Sequence, residues 1–273
     1  MPPLSSLLGL IFYALPIYIF IVGPITRQLF PQKPLPRLFN PDNTPLLNDT
    51  ILSLDDGITP TCPEDNYKIH ILQRDPLVIY IEDFLTHDEA DHLVELGSKN
   101  YTPSTIYNGQ ITTHNPQTRL SDRALLPRDN AVRCLENRAK SFQGWNPDLW
   151  IERMWTQRYN VSGHYAHHYD WAGSVARGGD RLSTFMVYLG DDCVGGGTNF
   201  PRLRRPGDRS WCRFLESGKE GVTFRVVKGN AVFWENLRPD GTGYRETWHG
   251  AFPVTKGEKV GLNIWSWWQP SSR

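Results

Sequence analysis

Tyr159-Asn160-Val161-Ser162-Gly163-His164-Tyr165-Ala166-His167-His168-Tyr169-Asp170-Trp171 carries three of the chain's eight histidines and one aspartate, set among aromatic residues. On an extended segment, residues two apart share a face, so His168 and Asp170 can present an imidazole and a carboxylate to one ion. His164 and His168 are four apart, the spacing of a helical zinc pair, but the glutamate of the His-Glu-x-x-His motif is missing and Gly163 and the aromatics favour extended chain. His164 and His167 therefore read as neighbours that pack or hydrogen-bond. A third ligand has to come from elsewhere, and His249 is the sole histidine downstream, in Thr247-Trp248-His249-Gly250 just before the strand-forming Ala251-Phe252-Pro253-Val254. Two imidazoles and one carboxylate leave open positions on a metal, the arrangement suited to non-haem Fe(II) oxygen chemistry. A lone His-x-Asp is more often a surface or core pair without a metal, so the triad needs company.

Lys259 supplies some. It enters the apolar, aromatic run Val260-Gly261-Leu262-Asn263-Ile264-Trp265, where an ammonium is expensive unless it meets an anion. Snorkelling at a strand end is the plainer reading. A dicarboxylate cosubstrate that chelates the metal at one end would supply the anion at the other.

Around these residues the composition is that of an ordinary globular protein, with 29 Lys plus Arg against 29 Asp plus Glu and 39% hydrophobic residues, which excludes a mostly disordered chain. Zero formal charge argues against nucleic acid as a partner, because phosphate binding needs an excess of basic residues on one face. Ten Trp, eleven Tyr and twelve Phe, with 23 Gly and 21 Pro, suggest a turn-rich, sheet-dominated core. Thr86-His87-Asp88-Glu89 matches a capping box that opens a helix toward Leu96, and a second helix is predicted from Asn130 to Phe142. Predicted strands follow at Leu77 to Ile81, Ile151 to Tyr159, Leu182 to Leu189, Val222 to Val227, Ala231 to Trp234 and Val260 to Trp267. Helices first and strands after give an α+β unit whose later half is an antiparallel sandwich or barrel.

Ahead of that unit, Leu4 to Ile25 form 22 residues without a charge, enough to cross a hydrocarbon core about 30 Å thick. Residues 1–26 are read as a membrane anchor, since no basic stretch precedes the run and no small-x-small site closes it as in a cleaved signal peptide. Residues 27–75, with Pro31, Pro34, Pro36, Pro41, Pro45, Pro60 and Pro63, are read as a spacer, and residues 76–270 as the folded domain. Arg27, Lys33 and Arg37 follow the span, which by the positive-inside rule favours a cytoplasmic body. The cysteines pull the other way: Cys193 and Cys212, 19 positions apart, would close a Gly- and Arg-rich loop in an oxidising compartment. Asn48, Asn100 and Asn160 head glycosylation acceptor triplets, with Asn48 and Asn100 the better placed.

Taken together in order, the residues from Pro76 to Gln269 resemble the prolyl 4-hydroxylase branch of the Fe(II)/2-oxoglutarate dioxygenases, and most closely its fungal membrane-anchored members. The matching pieces are Tyr159, His168-Tyr169-Asp170, Arg181 with Tyr188-Leu189, Gly196-Gly197-Thr198-Asn199-Phe200-Pro201, Gly229-Asn230-Ala231-Val232-Phe233-Trp234, His249, Pro253-Val254, Gly257, Lys259 and Trp265. The resemblance implies a double-stranded β-helix, or jelly roll, with flanking N-terminal helices and His168, Asp170 and His249 holding iron. It implies that Lys259 binds the distal carboxylate of 2-oxoglutarate, with Tyr159 and Thr198 as hydroxyl partners, Trp265 as a wall and Arg181 as a substrate contact. The cofactors it implies are Fe(II), 2-oxoglutarate, O2 and L-ascorbate. The reaction is hydroxylation of a substrate C–H, in the first instance a peptidyl proline, with decarboxylation of 2-oxoglutarate to succinate and CO2.

The partner is then a peptide or protein, and the compartment is the endoplasmic reticulum with the catalytic domain in the lumen. The same metal site would serve a lysyl hydroxylase or an oxygenase tailoring a peptide-derived secondary metabolite. A non-catalytic jelly-roll binding protein and a zinc hydrolase are the other classes. The hydrolase needs a general base that the stretch from His164 to Trp171 lacks. Arg202, Arg204, Arg205, Arg209 and Arg213 read as a solvated, disulfide-closed surface loop rather than as a site for an acidic peptide.

Overall fold

The structure is a computed structural model that describes residues 47–107, 112–146 and 149–269. The anchor expected over residues 1–26 lies outside them, and no helix among the described residues is long and apolar enough to cross a membrane. The strands in chain order are β1 (Lys68–Arg74), β2 (Leu77–Glu82), β3 (Thr102–Pro103), β4 (Ile106–Tyr107), β5 (Thr112–Thr113), β6 (Arg119–Leu120), β7 (Asp122–Leu125), β8 (Leu149–Ile151) and β9 (Trp155–Tyr159). They continue with β10 (His164–His168), β11 (Asp180–Gly190), β12 (Cys193–Gly195), β13 (Thr198–Phe200), β14 (Val222–Phe224), β15 (Ala231–Glu235), β16 (His249–Ala251), β17 (Val254–Gly257) and β18 (Lys259–Trp268). Two helices, α1 (His87–Ser98) and α2 (Asn130–Phe142), come early.

The larger sheet runs β1-β2-β15-β11-β18-β9-β7-β3, with β8 pairing along β18, and the smaller runs β14-β13-β16-β10-β6. Two facing antiparallel sheets of this kind make the jelly roll implied by the sequence. The alternation of side chains in the larger sheet sorts its residues into two cores. Ile79 and Ile81 of β2, Phe185, Val187 and Leu189 of β11, Ala231 and Phe233 of β15, and Leu262 and Ile264 of β18 form one core that includes Ala90 and Leu93 of α1 and Val132 and Leu135 of α2. The intervening residues Val78, Tyr80, Met186, Tyr188, Val232 and Trp234 turn to the concave side and meet Phe200, Val222 and Phe224 of the smaller sheet. Lys259, Gly261, Asn263 and Trp265 of β18 share this concave side.

The helices form where capping chemistry asks for them. The Thr86 hydroxyl accepts from the Glu89 amide at 3.1 Å and the Glu89 carboxylate accepts from the Thr86 amide at 2.8 Å, a complete capping box. Asp129 caps α2 by accepting from the Val132 amide at 3.0 Å. Gly97 allows α1 to lie close on β9, for a Cβ there would sit 2.6 Å from the Thr156 hydroxyl.

Three expectations are corrected. The supposed spacer is part of the fold from residue 47 on: β1 pairs with β2 as an edge hairpin, and Leu52, 4% exposed, bridges to Glu152. Its prolines stop short of Tyr67, and the alternation in Lys68-Ile69-His70-Ile71-Leu72 is that of a strand. The run from Ile151 to Tyr159 is two strands, broken where the Arg153 amide donates to Ile51 O at 2.7 Å. Cys193 and Cys212 are free; the disulfide joins Cys62 to Cys134, 72 positions apart. Cys193 is held in β12 against β17, whereas Cys212 sits exposed in the 3-10 turn Arg209–Arg213, so nearness in sequence misled. The Arg-rich loop is tied to the body instead: Arg205 donates to Glu216 O, Arg213 pairs with Glu82 at 3.0 Å, and Arg202 donates to Arg245 O at 2.9 Å.

A bridge that closes so long a loop stabilises by about 2–4 kcal/mol. Paired Cys62→Ser and Cys134→Ser substitutions should therefore lower the unfolding free energy in urea clearly, while Cys193→Ser with Cys212→Ser should change it by no more than ~0.5 kcal/mol. Equal losses from the two pairs would show the second to be a bridge as well.

Candidate active site

The antiparallel pairing of β10 with β16 sets His168 directly opposite His249. Tyr165 lies opposite Ala251, so β10 carries one residue more than β16 over that stretch, a bulge that turns Tyr165 and His168 to the same side. Their rings stack with centroids 3.7 Å apart. Asp170 follows just beyond the strand. Its Oδ1 lies 3.5 Å from His168 Nε2 and its Oδ2 lies 3.7 Å from His249 Nε2. One donor atom from each of the three falls within 4.8 Å of the others, so the side chains expected to converge do so.

Hydrogen bonds fix their orientation. His168 Nδ1 is 2.9 Å from Ala166 O and His249 Nδ1 is 2.9 Å from Thr247 O. A carbonyl only accepts, so each Nδ1 carries the hydrogen and each Nε2 offers a lone pair toward Asp170. Asp170 Oδ2 accepts from the Thr184 hydroxyl at 2.8 Å and the Trp265 indole at 3.1 Å. Thr184 in turn accepts from Asn236 Nδ2 at 2.9 Å, and Asn236 Oδ1 accepts from the Trp234 indole at 2.9 Å. Burial opposes ionisation of Asp170, but the His249 and His168 imidazoles and the Arg181 guanidinium outweigh it and hold the carboxyl well below the usual carboxylate range. Burial pushes His249 down to about 4 against the pull of Asp170, which keeps it neutral and able to bind a metal at neutral pH. A carboxylate and two imidazoles in this arrangement fit a divalent iron.

On the same concave face Lys259 is 0% exposed. Its Nζ donates to Gly196 O at 2.7 Å and lies 5.2 and 5.5 Å from the Tyr159 and Tyr188 ring centres. Among the described residues no carboxylate comes within ion-pair distance, leaving most of the ammonium's donor capacity unused. Burial drags the ammonium from its ordinary 10.5 to about 8, with Cys193 and Glu216 pulling the other way. Such a depression corresponds to roughly 3 kcal/mol set against the charged form, and a ligand carboxylate would relieve it. Beside it the buried Tyr188 hydroxyl donates to Thr198 Oγ1 at 2.9 Å.

A profile of the 2OG-Fe(II) oxygenase superfamily matches residues 154–267, which include the triad and Lys259. Prolyl 4-hydroxylase 5 of Arabidopsis thaliana is 30% identical over 207 residues, 72% of this chain and 70% of that protein. The chain belongs to the prolyl 4-hydroxylase-like 2OG-Fe(II) oxygenases. The probable prolyl 4-hydroxylase 8 of the same plant is 28% identical over 207 residues, again 72% and 70% of the two chains. Among solved structures, the 2OG complex of the viral collagen prolyl hydroxylase from Paramecium Bursaria Chlorella virus-1 has the same fold, with a TM-score of 0.54 at 24% identity over 70% of this chain and 95% of that one. The protein is thus a 2-oxoglutarate-dependent dioxygenase, of a family that works with Fe(II), 2-oxoglutarate, O2 and ascorbate.

Of the other residues singled out in the sequence, Tyr159 is paired opposite Lys259, Thr198 accepts from the Tyr188 hydroxyl and the Trp265 indole donates to Asp170. Arg181 is engaged by the protein itself: Nε and Nη2 donate to the Glu152 carboxylate at 2.7 and 2.9 Å, and its guanidinium lies 3.6 Å over the Trp265 ring. With 28% of its side chain exposed it still reaches the surface. His164 binds Ser162 O at 2.9 Å and His167 binds Asn199 Oδ1 at 2.7 Å, so neither joins the triad. Thr184, Glu152 and Arg119 escaped the sequence reading. Thr184 was accessible to it, being in phase with Met186 and Tyr188 along β11, but β6 has two residues and no periodicity that would mark Arg119.

His168→Ala and Asp170→Ala should abolish high-affinity Fe(II) binding. Thr184→Val keeps all three ligands and removes only the hydroxyl that orients Asp170, and should weaken Fe(II) about 10- to 100-fold. Anaerobic Co(II) titration followed by absorbance would measure both; wild-type affinity in Thr184→Val would show that Trp265 suffices to orient the carboxylate.

Proposed function

We propose that this enzyme hydroxylates peptidyl proline, with His168, Asp170 and His249 holding Fe(II) and Lys259 holding the distal carboxylate of 2-oxoglutarate. The single observation that carries the reading is the buried ammonium of Lys259, bonded to one carbonyl and set on the same concave side as the triad. Iron bound together with 2-oxoglutarate and O2 supplies the oxidant that hydroxylates the substrate C–H, while 2-oxoglutarate becomes succinate and CO2.

The chain's own groups then divide the work. Thr184 and Trp265 fix the rotamer of Asp170, and the Ala166 and Thr247 carbonyls fix the two imidazoles. Lys259 neutralises the far carboxylate, a task suited to a compact charge with three donors. Tyr159 and Thr198 line the cosubstrate's path as hydroxyl partners. The walls of Met186, Tyr188, Phe200 and Trp234 keep water from the reacting centre. Arg181, held by Glu152 and stacked on Trp265, is the residue we assign to the substrate at the mouth. That the substrate is peptidyl proline is supported by the likeness to the Arabidopsis relative, a prolyl 4-hydroxylase.

We assign the body to an oxidising lumen, tethered through the apolar N-terminal segment as in the fungal membrane-anchored members. The Cys62–Cys134 bridge supports such a compartment, and Asn48 and Asn100 are both exposed. Endoglycosidase treatment of protein from its native membrane should lower the mass of the peptides that carry Asn48 and Asn100; unmodified Asn48 and Asn100 would favour a cytoplasmic body.

Mass spectrometry of proline-containing peptides incubated with Fe(II), 2-oxoglutarate and ascorbate should show a gain of one oxygen matched by succinate. Peptides left unoxidised while succinate forms would reject proline as the substrate. Lys259→Ala should raise the 2-oxoglutarate requirement with little change in Fe(II) affinity. The depressed Lys259 value adds a pH signature. Below about 8 the free enzyme already carries the proton, whereas above it the ammonium is mostly neutral and must regain a proton to hold a carboxylate. Binding of 2-oxoglutarate at pH 9 should therefore take up close to one proton and weaken as pH rises, and at pH 6.5 it should take up none. Calorimetry with Mn(II) in buffers of different ionisation enthalpy would read this; no uptake at pH 9 would show that the ammonium is already charged there, and unchanged 2-oxoglutarate affinity in Lys259→Ala would remove Lys259 from the role.

A further inference from the structure

The chain passes from the smaller sheet into the larger at Ser121, between β6 and β7, and this crossing carries two arginines to the concave side. Arg119 is 8% exposed, its Nε donates to Ser121 Oγ at 3.2 Å, and its guanidinium lies 4.5 Å from the centre of the Tyr165 ring, the ring that stacks on His168. Arg123 stands opposite Gln157 in the β7–β9 register. The next pair, Ala124 with Thr156, faces α1, because Thr156 lies against Gly97. Arg123 and Gln157 therefore face the concave side with Tyr159, the partner of Lys259. The Arg123 guanidinium lies 4.6 Å over the Trp155 ring, and its Nε is buried with no hydrogen-bond partner.

The neighbouring arginines have carboxylate partners: Arg158 has Asp122 at 3.0 Å and Arg181 has Glu152 at 2.7 Å, although Arg158 Nε, like that of Arg123, has no hydrogen-bond partner. Among the described residues neither Arg119 nor Arg123 has a carboxylate within ion-pair distance. Two like charges drawn together and partly stripped of water cost free energy unless an anion joins them. Burial and the nearby Arg119 charge both lower the Arg123 value, in keeping with that cost. The anion is distinct from 2-oxoglutarate, whose distal carboxylate has Lys259 in a fully buried pocket, whereas Arg123 and Trp155 remain partly exposed.

We propose that Arg119 and Arg123 form a subsite for an acidic side chain of the substrate peptide, so that the enzyme selects proline sites with an Asp or Glu close by. A guanidinium presents paired donors to a carboxylate in one plane, and Trp155 stiffens that of Arg123 from beneath. The proposal rests on the peptidyl-proline reading above and deepens it. A peptide's C-terminal carboxylate has the same chemistry, so the test separates the two.

The experiment compares kcat/KM on amidated peptides that share one proline core and carry Glu or Gln at each flanking position in turn, with a Gln peptide ending in a free carboxylate as a further arm. The wild type should prefer Glu over Gln at one position by at least about tenfold, mainly through KM, and lose part of the preference as salt rises. Arg123→Gln should bring that ratio close to one, and Arg123→Lys should restore part of it. The ratio is taken within each variant, so a smaller folded fraction cancels. Equal use of Glu and Gln by the wild type, or a ratio that survives Arg123→Gln, overturns the subsite. Preference for the free C-terminus alone overturns the side-chain assignment. Failure of the peptidyl-proline reading is recognisable separately, because then no peptide in the set gains oxygen, and the subsite falls with it.

Discussion

The pairing of β10 with β16 is the constraint on which the site depends. It brings together two histidines distant in the chain, and it does so through backbone hydrogen bonds that no side chain has to provide. The bulge in β10 then matters twice. It sets His168 level with His249, and it turns Tyr165 inward as a plate against the His168 ring. Asp170 lies outside the paired segment, so its position is set by the opposite sheet, through Thr184 of β11 and Trp265 of β18. The triad is thus assembled by both layers of the jelly roll at once, and loosening either would move one ligand relative to the others.

The charges of the interior are arranged by depth. Lys259 is fully buried and bonded to one carbonyl, a setting in which an ammonium is costly unless an anion meets it. Arg181, nearer the mouth, is satisfied by Glu152 and lies on Trp265, so its geometry is fixed before any ligand arrives. Carbonyl, carboxylate and aromatic faces serve as partners of graded strength, and Lys259, with a single carbonyl, has the weakest of them.

What was legible in the sequence follows the range over which each signal acts. The Thr86–Glu89 capping box and α2 from Asn130 to Phe142 depend on residues three or four apart, and both form as read. His168 and Asp170 are two apart on extended chain, and Lys259 stands out as a charge in an apolar run. In the smaller sheet β10 and β14 fall within stretches read as extended, whereas β6 with two residues and β13 with three are too short for a period to register. The Cys62–Cys134 bridge joins an irregular segment to a helix, a pairing with no local mark, whereas the pair that looked plausible by spacing is held apart by the pairing of β12 with β17. Prolines up to Pro63 concealed that the following residues are an edge strand.

That misread segment bears on the active site. Between β8 and β9 the chain pauses at Glu152 and Arg153, and both neighbours of the pause are occupied: the Ser53 amide donates to Ile151 O at 2.8 Å, the Arg153 amide donates to Ile51 O, and the Glu152 amide donates to Trp265 O at 2.9 Å. Glu152 therefore has its backbone fixed between the N-terminal arm and β18 while its carboxylate holds Arg181. Arg181 lies on Trp265, and Trp265 donates to Asp170. From the arm to Asp170 there are four contacts, each through a group with little freedom. The disulfide at Cys62 ties the arm to α2, and Arg128 reaches across to Leu54 O at 2.6 Å and to Asp56 at 3.0 Å. Segments outside the jelly roll thus supply rigidity to a residue inside it, because a carboxylate ligand set beyond the end of its own strand has to be held from elsewhere.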